Sequence, residues 1–160
     1  MASNSFTIDT ADAFVTFQVK KLGVFTINGK ITDFTGGGSF SKNALTDAHF
    51  KASTGPSNID TGSSKRDAHL RSKDFFFLDK HPKICFQSTS IHSDKESYLA
   101  TGNRTLVGVT RKVSIPFEFS EGVFTGQFPI QRSDFQLGEK FPAFIVGNTV
   151  KISIHCKIKK

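Results

Sequence analysis

Tryptophan is absent from this chain, tyrosine and methionine occur once each and cysteine twice, whereas phenylalanine occurs 18 times in 160 residues. Two cysteines leave no disulfide-rich scaffold. Their parity also argues against a single bridge: Cys85 is out of phase with Ile84 and Phe86, while Cys156 is in phase with Ile152, Ile154 and Ile158. On strands the two would point to opposite faces. His49, His69, His81, His92 and His155 fall in no H-x-x-x-H spacing, and C-x-x-C is missing, so no metal site is expected. Also missing are G-x-S-x-G, a P-loop and G-x-G-x-x-G; the glycines at 36–38 read as a turn, not a phosphate cradle. Asp67 and His69 with Ser63, Ser64 or Ser72 make a poor triad, because positions two apart on a helix do not face each other. The expectation is a protein that is not an enzyme and has no cofactor. No stretch approaches the ~18 apolar residues of a membrane span. The opening M-A-S-N-S-F-T-I-D-T has no charged segment followed by an apolar one. As written the chain reads as cytoplasmic; a periplasmic or secreted protein with its leader removed would read the same.

What is abundant is alternation. Ala13, Val15, Phe17 and Val19 share one face, and Phe25, Ile27, Gly29 and Ile31 repeat the pattern after a turn at 21–23. Further runs are Ala44, Ala48, Phe50 and Ala52; Ile84 and Phe86; Val113, Ile115, Phe117 and Phe119; Phe124, Phe128 and Ile130; and Ile152 to Ile158. A period of two over so many runs predicts half-buried antiparallel strands. Turn signals lie at 55–57, 93–94, 102–103 and 121–122. Either a sandwich or a barrel of about eight strands accounts for this, and a barrel leaves no exposed edges and room for one small ligand. No repeat or linker divides residues 1–160, so one domain is expected. The irregular, Phe-containing segment 136–148 reads as a long loop able to cover a barrel mouth. A net charge of +7 and a pI near 9.5 permit nucleic acid or an anionic headgroup as partner. The charges are scattered, however, apart from Lys157, Lys159 and Lys160 at the end.

Residues 58–77, N-I-D-T-G-S-S-K-R-D-A-H-L-R-S-K-D-F-F-F, interrupt the strands. Ser64 to Asp67 fits a helix-capping box, and a second short turn leads from Ser72 into Phe75, Phe76 and Phe77. The order I-D-T-G, R-D-A-H-L-R-S, D-F-F-F closely resembles the central signature of the YceI-like family. Phe6 to Asp9, Val19 to Phe34, Phe86 to Ile91, Gly102 to Val113 and Ile130 to Phe135 resemble its other segments. Asp12-Ala13, Lys21 and Gln136 depart from the family pattern, which has His-Ser, His and Gly at those places. The resemblance implies an all-β fold with a short helical insertion, an eight-stranded antiparallel lipocalin-like barrel. It further implies an often dimeric protein whose elongated pocket takes a polyisoprenoid or long acyl chain.

The expected ligand-binding residues are Val15, Phe17, Phe25, Ile27, Phe50, Phe86, Phe117, Phe119 and Phe128, all directed into one interior, and Phe76, with Phe75 to Phe77 and the 136–148 loop at its mouth. Arg66, Asp67, His69 and Arg132 are expected either to form a polar network joining helix to barrel or to meet a ligand head. Arg132, in phase with Phe128 and Ile130, needs a partner on an apolar face: Asp60, Asp67, Asp134 or a ligand anion. Binding, shielding or transport of a long-chain apolar ligand is the function expected, and nucleic acid is not the expected partner. The alternatives are a basic aromatic barrel that binds nucleic acid and a structural module with a filled core.

Overall fold

A computed structural model describes residues 5–159, so residues 1–4 and Lys160 of the basic C-terminal run lie outside the described residues. Nine strands follow the alternation: β1 (Ser5–Lys21), β2 (Phe25–Ile31), β3 (Thr35–Ser39), β4 (His49–Thr54), β5 (Ile84–Asp94), β6 (Ser97–Leu106), β7 (Val109–Ser120), β8 (Val123–Gln131) and β9 (Thr149–Lys159). All neighbours are antiparallel, and pairing of β1 with β9 closes the sheet. The second half of β1 pairs with β2, from Val15 opposite Ile31 to Lys21 opposite Phe25, while its first residues pair with β3. Strands β2 and β3 thus share one side of β1, and the ring has eight positions. The one α-helix among the described residues, α1 (Ser64–Arg71), lies between β4 and β5. No described helix is long and apolar enough to cross a membrane.

Three local expectations are corrected. The glycines at 36–38 form strand β3 rather than a turn. A Cβ on Gly38 would sit 2.0 Å from the carbonyl oxygen of His49, so only glycine lets β3 lie this close to β4. Gly102 and Asn103 are paired within β6, and the turn falls later, at Val107 and Gly108, both with positive φ. The helix is capped by Ser63, one residue earlier than the sequence pattern placed it, with its Oγ accepting from the Arg66 N–H at 3.2 Å.

Both cysteines are free. Cys156 is buried, and burial pushes its thiol up to about 12. Toward the start of β1 the interior is filled by aromatic rings: Phe6, Phe40, Phe50, Phe117, Phe119 and Phe124 meet with centroids 4.4–5.9 Å apart, mostly edge to face. Such pairs add ~0.5–1.5 kcal/mol each beyond the area they bury. This packing plugs one end of the barrel and leaves the open space at the other.

Candidate functional site

The open end of the barrel holds a cavity of about 210 Å³. Val15, Phe17 and Val19 of β1 form one wall and Ile152 and Ile154 of β9 the next. Ala52 of β4, Phe86 of β5 and Phe128 of β8 continue it, and Phe75 and Phe76 cover it from the insertion. A Cβ on Gly29 would meet the Phe17 ring at 2.1 Å, so the glycine opposite gives that ring its place. The volume equals about seven waters at ~30 Å³ each, below the ~300 Å³ at which ordinary ligand pockets begin. A long chain must therefore shift lining side chains or continue out of the barrel.

Of the ten residues expected on the ligand face, Val15, Phe17, Phe76, Phe86 and Phe128 line this cavity. Phe50, Phe117 and Phe119 point inward but belong to the aromatic plug. Ile27 is half-buried opposite Val19 and does not reach the cavity. Phe25 is corrected outright. It has the right parity, yet it opposes Lys21 at the end of the hairpin, beyond the barrel rim, and is 60% exposed. Leu22 and Val24 beside it are exposed too, and so is Phe144, whose neighbour Ile145 accepts a hydrogen bond from the Leu22 N–H.

The polar groups resolve into separate networks, not the single one expected. Asp67 is 8% exposed and accepts from the Thr61 N–H at 2.9 Å and from the Thr61 hydroxyl. Arg66 donates to the same hydroxyl and to the Thr61 carbonyl. Together they pin α1 to the loop before it. His69 lies outside this set: its Nε2 meets Asp74 at 3.0 Å, and Lys140 approaches the same carboxylate at 3.7 Å. The hydrogen bond from His69, with Lys140 second, holds the Asp74 carboxyl below its ordinary value.

Arg132 pairs with no carboxylate among the described residues. It is 5% exposed and donates to the carbonyls of Leu137, Gly138 and Gly147 at 2.9 Å, of Phe141 at 3.0 Å, and of Val146. These contacts engage the whole donor fork of a guanidinium. They fold the 136–148 loop over the cavity, where Leu137 and Val146 join the lining and Phe141 stacks on Phe75. Gln136 opens the loop at φ 54°, left-handed backbone that favours glycine.

The charged residue that sequence reasoning missed is Arg104 on β6. It is 7% exposed, lines the cavity, and lies over the Phe128 ring at 4.7 Å and the Phe135 ring at 5.9 Å. Burial pulls its guanidinium down to about 10. The only sealed side-chain polar atom without a partner among the described residues, Thr54 Oγ1, belongs to the same cavity lining.

The family model for the YceI-like domain matches residues 6–158, and the chain belongs to that family. A UPF0312 protein of Pectobacterium carotovorum is 35% identical over 114 residues, which are 71% of this chain and 59% of that protein. The chain thus spans about three fifths of the length of that curated relative. Among solved structures, Burkholderia cenocepacia BcnA superposes with a TM-score of 0.86 at 23% identity, covering 96% of this chain and 99% of BcnA. A polyisoprenoid-binding domain from Saccharophagus degradans, implicated in plant cell wall breakdown, superposes with a TM-score of 0.72 at 15% identity, covering 99% of each chain. At these identities the two structures support the fold alone.

Proposed function

We propose that this barrel binds a long-chain apolar ligand, a polyisoprenoid or related acyl lipid, without catalysis, and stores, shields or transfers it. The observation that carries this reading is the apolar cavity at the end opposite the aromatic plug, whose lining contains just two charged residues, Arg104 and Arg132. One of these is fully engaged in holding the covering loop. Each methylene buried in such a space contributes ~0.8 kcal/mol, so a chain supplies affinity without specific polar contacts. The polyisoprenoid-binding domain with the same fold supports the choice of ligand class. Nucleic-acid binding has less support, because base stacking needs exposed rings and most of the aromatic contacts here lie in the plug and around the cavity.

The test is solvent extraction of the purified protein followed by mass spectrometry, with Nile red uptake by the delipidated protein as the second arm. An apolar chain recovered in near-stoichiometric amount, and dye uptake after its removal, are the expected results. An empty extract together with no dye uptake would leave a structural barrel and overturn the proposal.

A further inference from the structure

The barrel wall is not equally closed all round. Strands β7 and β8 pair only from Glu118 opposite Thr125 to Ser120 opposite Val123, although they run for 12 and 9 residues. Pro116 and Pro129, one on each strand, lie beyond the last pair and lack the N–H that a ladder requires. The strands part there, and a cleft of about 520 Å³ opens between them. Arg104, Phe128 and Ile130 line both this cleft and the inner cavity, so they are the partition between the two spaces.

Arg104 has none of what Arg132 has. Among the described residues its guanidinium makes no hydrogen bond and no ion pair, and its contacts are the faces of Phe128 and Phe135. Thr54 Oγ1 is the only sealed orphan among the described residues, so the Arg104 nitrogens are not sealed in. A cation this deeply placed is costly unless something anionic meets it. The charges around the cleft point the same way: Arg104, Arg111 and Lys112 face the single carboxylate of Asp134. Arg111 is held there by a 2.9 Å hydrogen bond from its Nε to the Asp134 carbonyl.

We propose that Arg104 is a headgroup site: the ligand is an amphiphile with an acidic head, phosphate or carboxylate, seated in the β7–β8 cleft against this guanidinium while its chain enters the barrel beside Phe128. This rests on the lipid-binding reading above and specifies its ligand. It also answers the volume problem, since a molecule spanning cleft and cavity need not fit inside 210 Å³.

The experiment uses two matched pairs, geranylgeranyl phosphate with geranylgeraniol and palmitate with hexadecan-1-ol, each displacing Nile red from delipidated protein. In the wild-type protein at least one acid should bind roughly ten-fold or more tighter than its alcohol, the worth of one or two charge-assisted hydrogen bonds. Which acid gains separates a phosphate head from a carboxylate head. In Arg104→Met that preference should fall to about two-fold. The ligand-free R104M protein should also melt no lower than wild type, because an unpaired buried cation has been replaced by an apolar chain of similar length. Equal binding of acid and alcohol by the wild type, or a preference that survives in R104M, would overturn the inference and leave the lipid barrel standing. A lowered melting point in ligand-free R104M would mark Arg104 as structural and likewise overturn it. Failure of all four compounds to displace the dye would overturn this inference, whereas the lipid reading falls only with an empty extract and no dye uptake.

Discussion

Replacing Arg132 by methionine tests whether the loop over the cavity hangs on one side chain. The substitution keeps much of the apolar stem and removes the donors to five carbonyls, those of Leu137, Gly138, Phe141, Val146 and Gly147. The bonds to Leu137 and Gly138 are buried; the Leu137 oxygen is then stranded at ~1–3 kcal/mol, while the Gly138 oxygen keeps the Phe141 N–H at 2.9 Å and loses only a few tenths to ~1 kcal/mol. The other three are part-buried, and water replaces the guanidinium at a net loss of a few tenths to ~1 kcal/mol each. The total is about 2–7 kcal/mol, a large share of the ~5–15 kcal/mol by which domains are stable. For a chain of this size that lowers the melting temperature by roughly 4–28 °C. Urea unfolding gives the energy, and amide hydrogen exchange gives its location: protection should fall first at 136–148. Arg132→Lys should land between, since an ammonium offers three donors without the planar fork. A loss below ~1 kcal/mol, or one without faster exchange in the loop, would refute the reasoning.

Asp67→Ala should cost about 2–4 kcal/mol, because it removes a buried carboxylate that accepts two hydrogen bonds from Thr61; urea unfolding that shows less than ~0.5 kcal/mol, the scale of an exposed pair, would contradict it. Asp74, held below its ordinary value of 3.8 chiefly by the His69 hydrogen bond, favours the folded state above 3.8, and that contribution fades as the pH falls through the lowered value. In His69→Ala the Asp74 midpoint, followed by carboxyl carbon chemical shifts, should move up toward 3.8; an unmoved midpoint refutes the assignment. Ala52→Trp places a ring in the cavity and should abolish Nile red uptake while the barrel stays folded. Ala48→Trp enters the plug beside Phe117 and Ile91, where it should overpack and destabilise by ~1–3 kcal/mol. The reverse pattern would mean that plug and cavity are interchanged.

The strands and their inward faces were legible because parity is a local property that a sheet preserves. Ala13, Val15 and Ile31 are buried as their alternation requires. Parity says nothing about position along the barrel axis, which is why it grouped Phe25, Phe17 and Phe117 together. One of these lies beyond the rim, one in the cavity wall and one in the plug. The axial position depends on stagger between β1 and its neighbours, including the shift in β1–β9 register between Ile8 and Ala13, and no single strand encodes that stagger. The partner of Arg132 was illegible for another reason. A guanidinium can be satisfied by backbone carbonyls as well as by carboxylates, and carbonyls leave no mark in a sequence. The expected choice among Asp60, Asp67, Asp134 and a ligand anion lacked the option the protein uses.

Arg104 was lost through a turn. Gly102 and Asn103 carry the composition of a reverse turn, and taking them as one removes Arg104 from any strand and from any parity. In the folded chain Gly102 sits mid-strand, where a Cβ would come within 2.2 Å of the Gln87 carbonyl oxygen. The glycine there serves close strand approach beside the irregularity in β5 between Ser88 and Ser90, not reversal. With β6 continuous, Arg104 falls in register with Phe86 on one side and Arg111 on the other. It must then face inward with Phe86, toward a seam that Pro116 and Pro129 keep from closing. The same two features, a glycine that carries a strand through and two prolines that stop a ladder, put a cation without a hydrogen-bond or ion-pair partner among the described residues at a place where the inner cavity and an outer cleft share their wall.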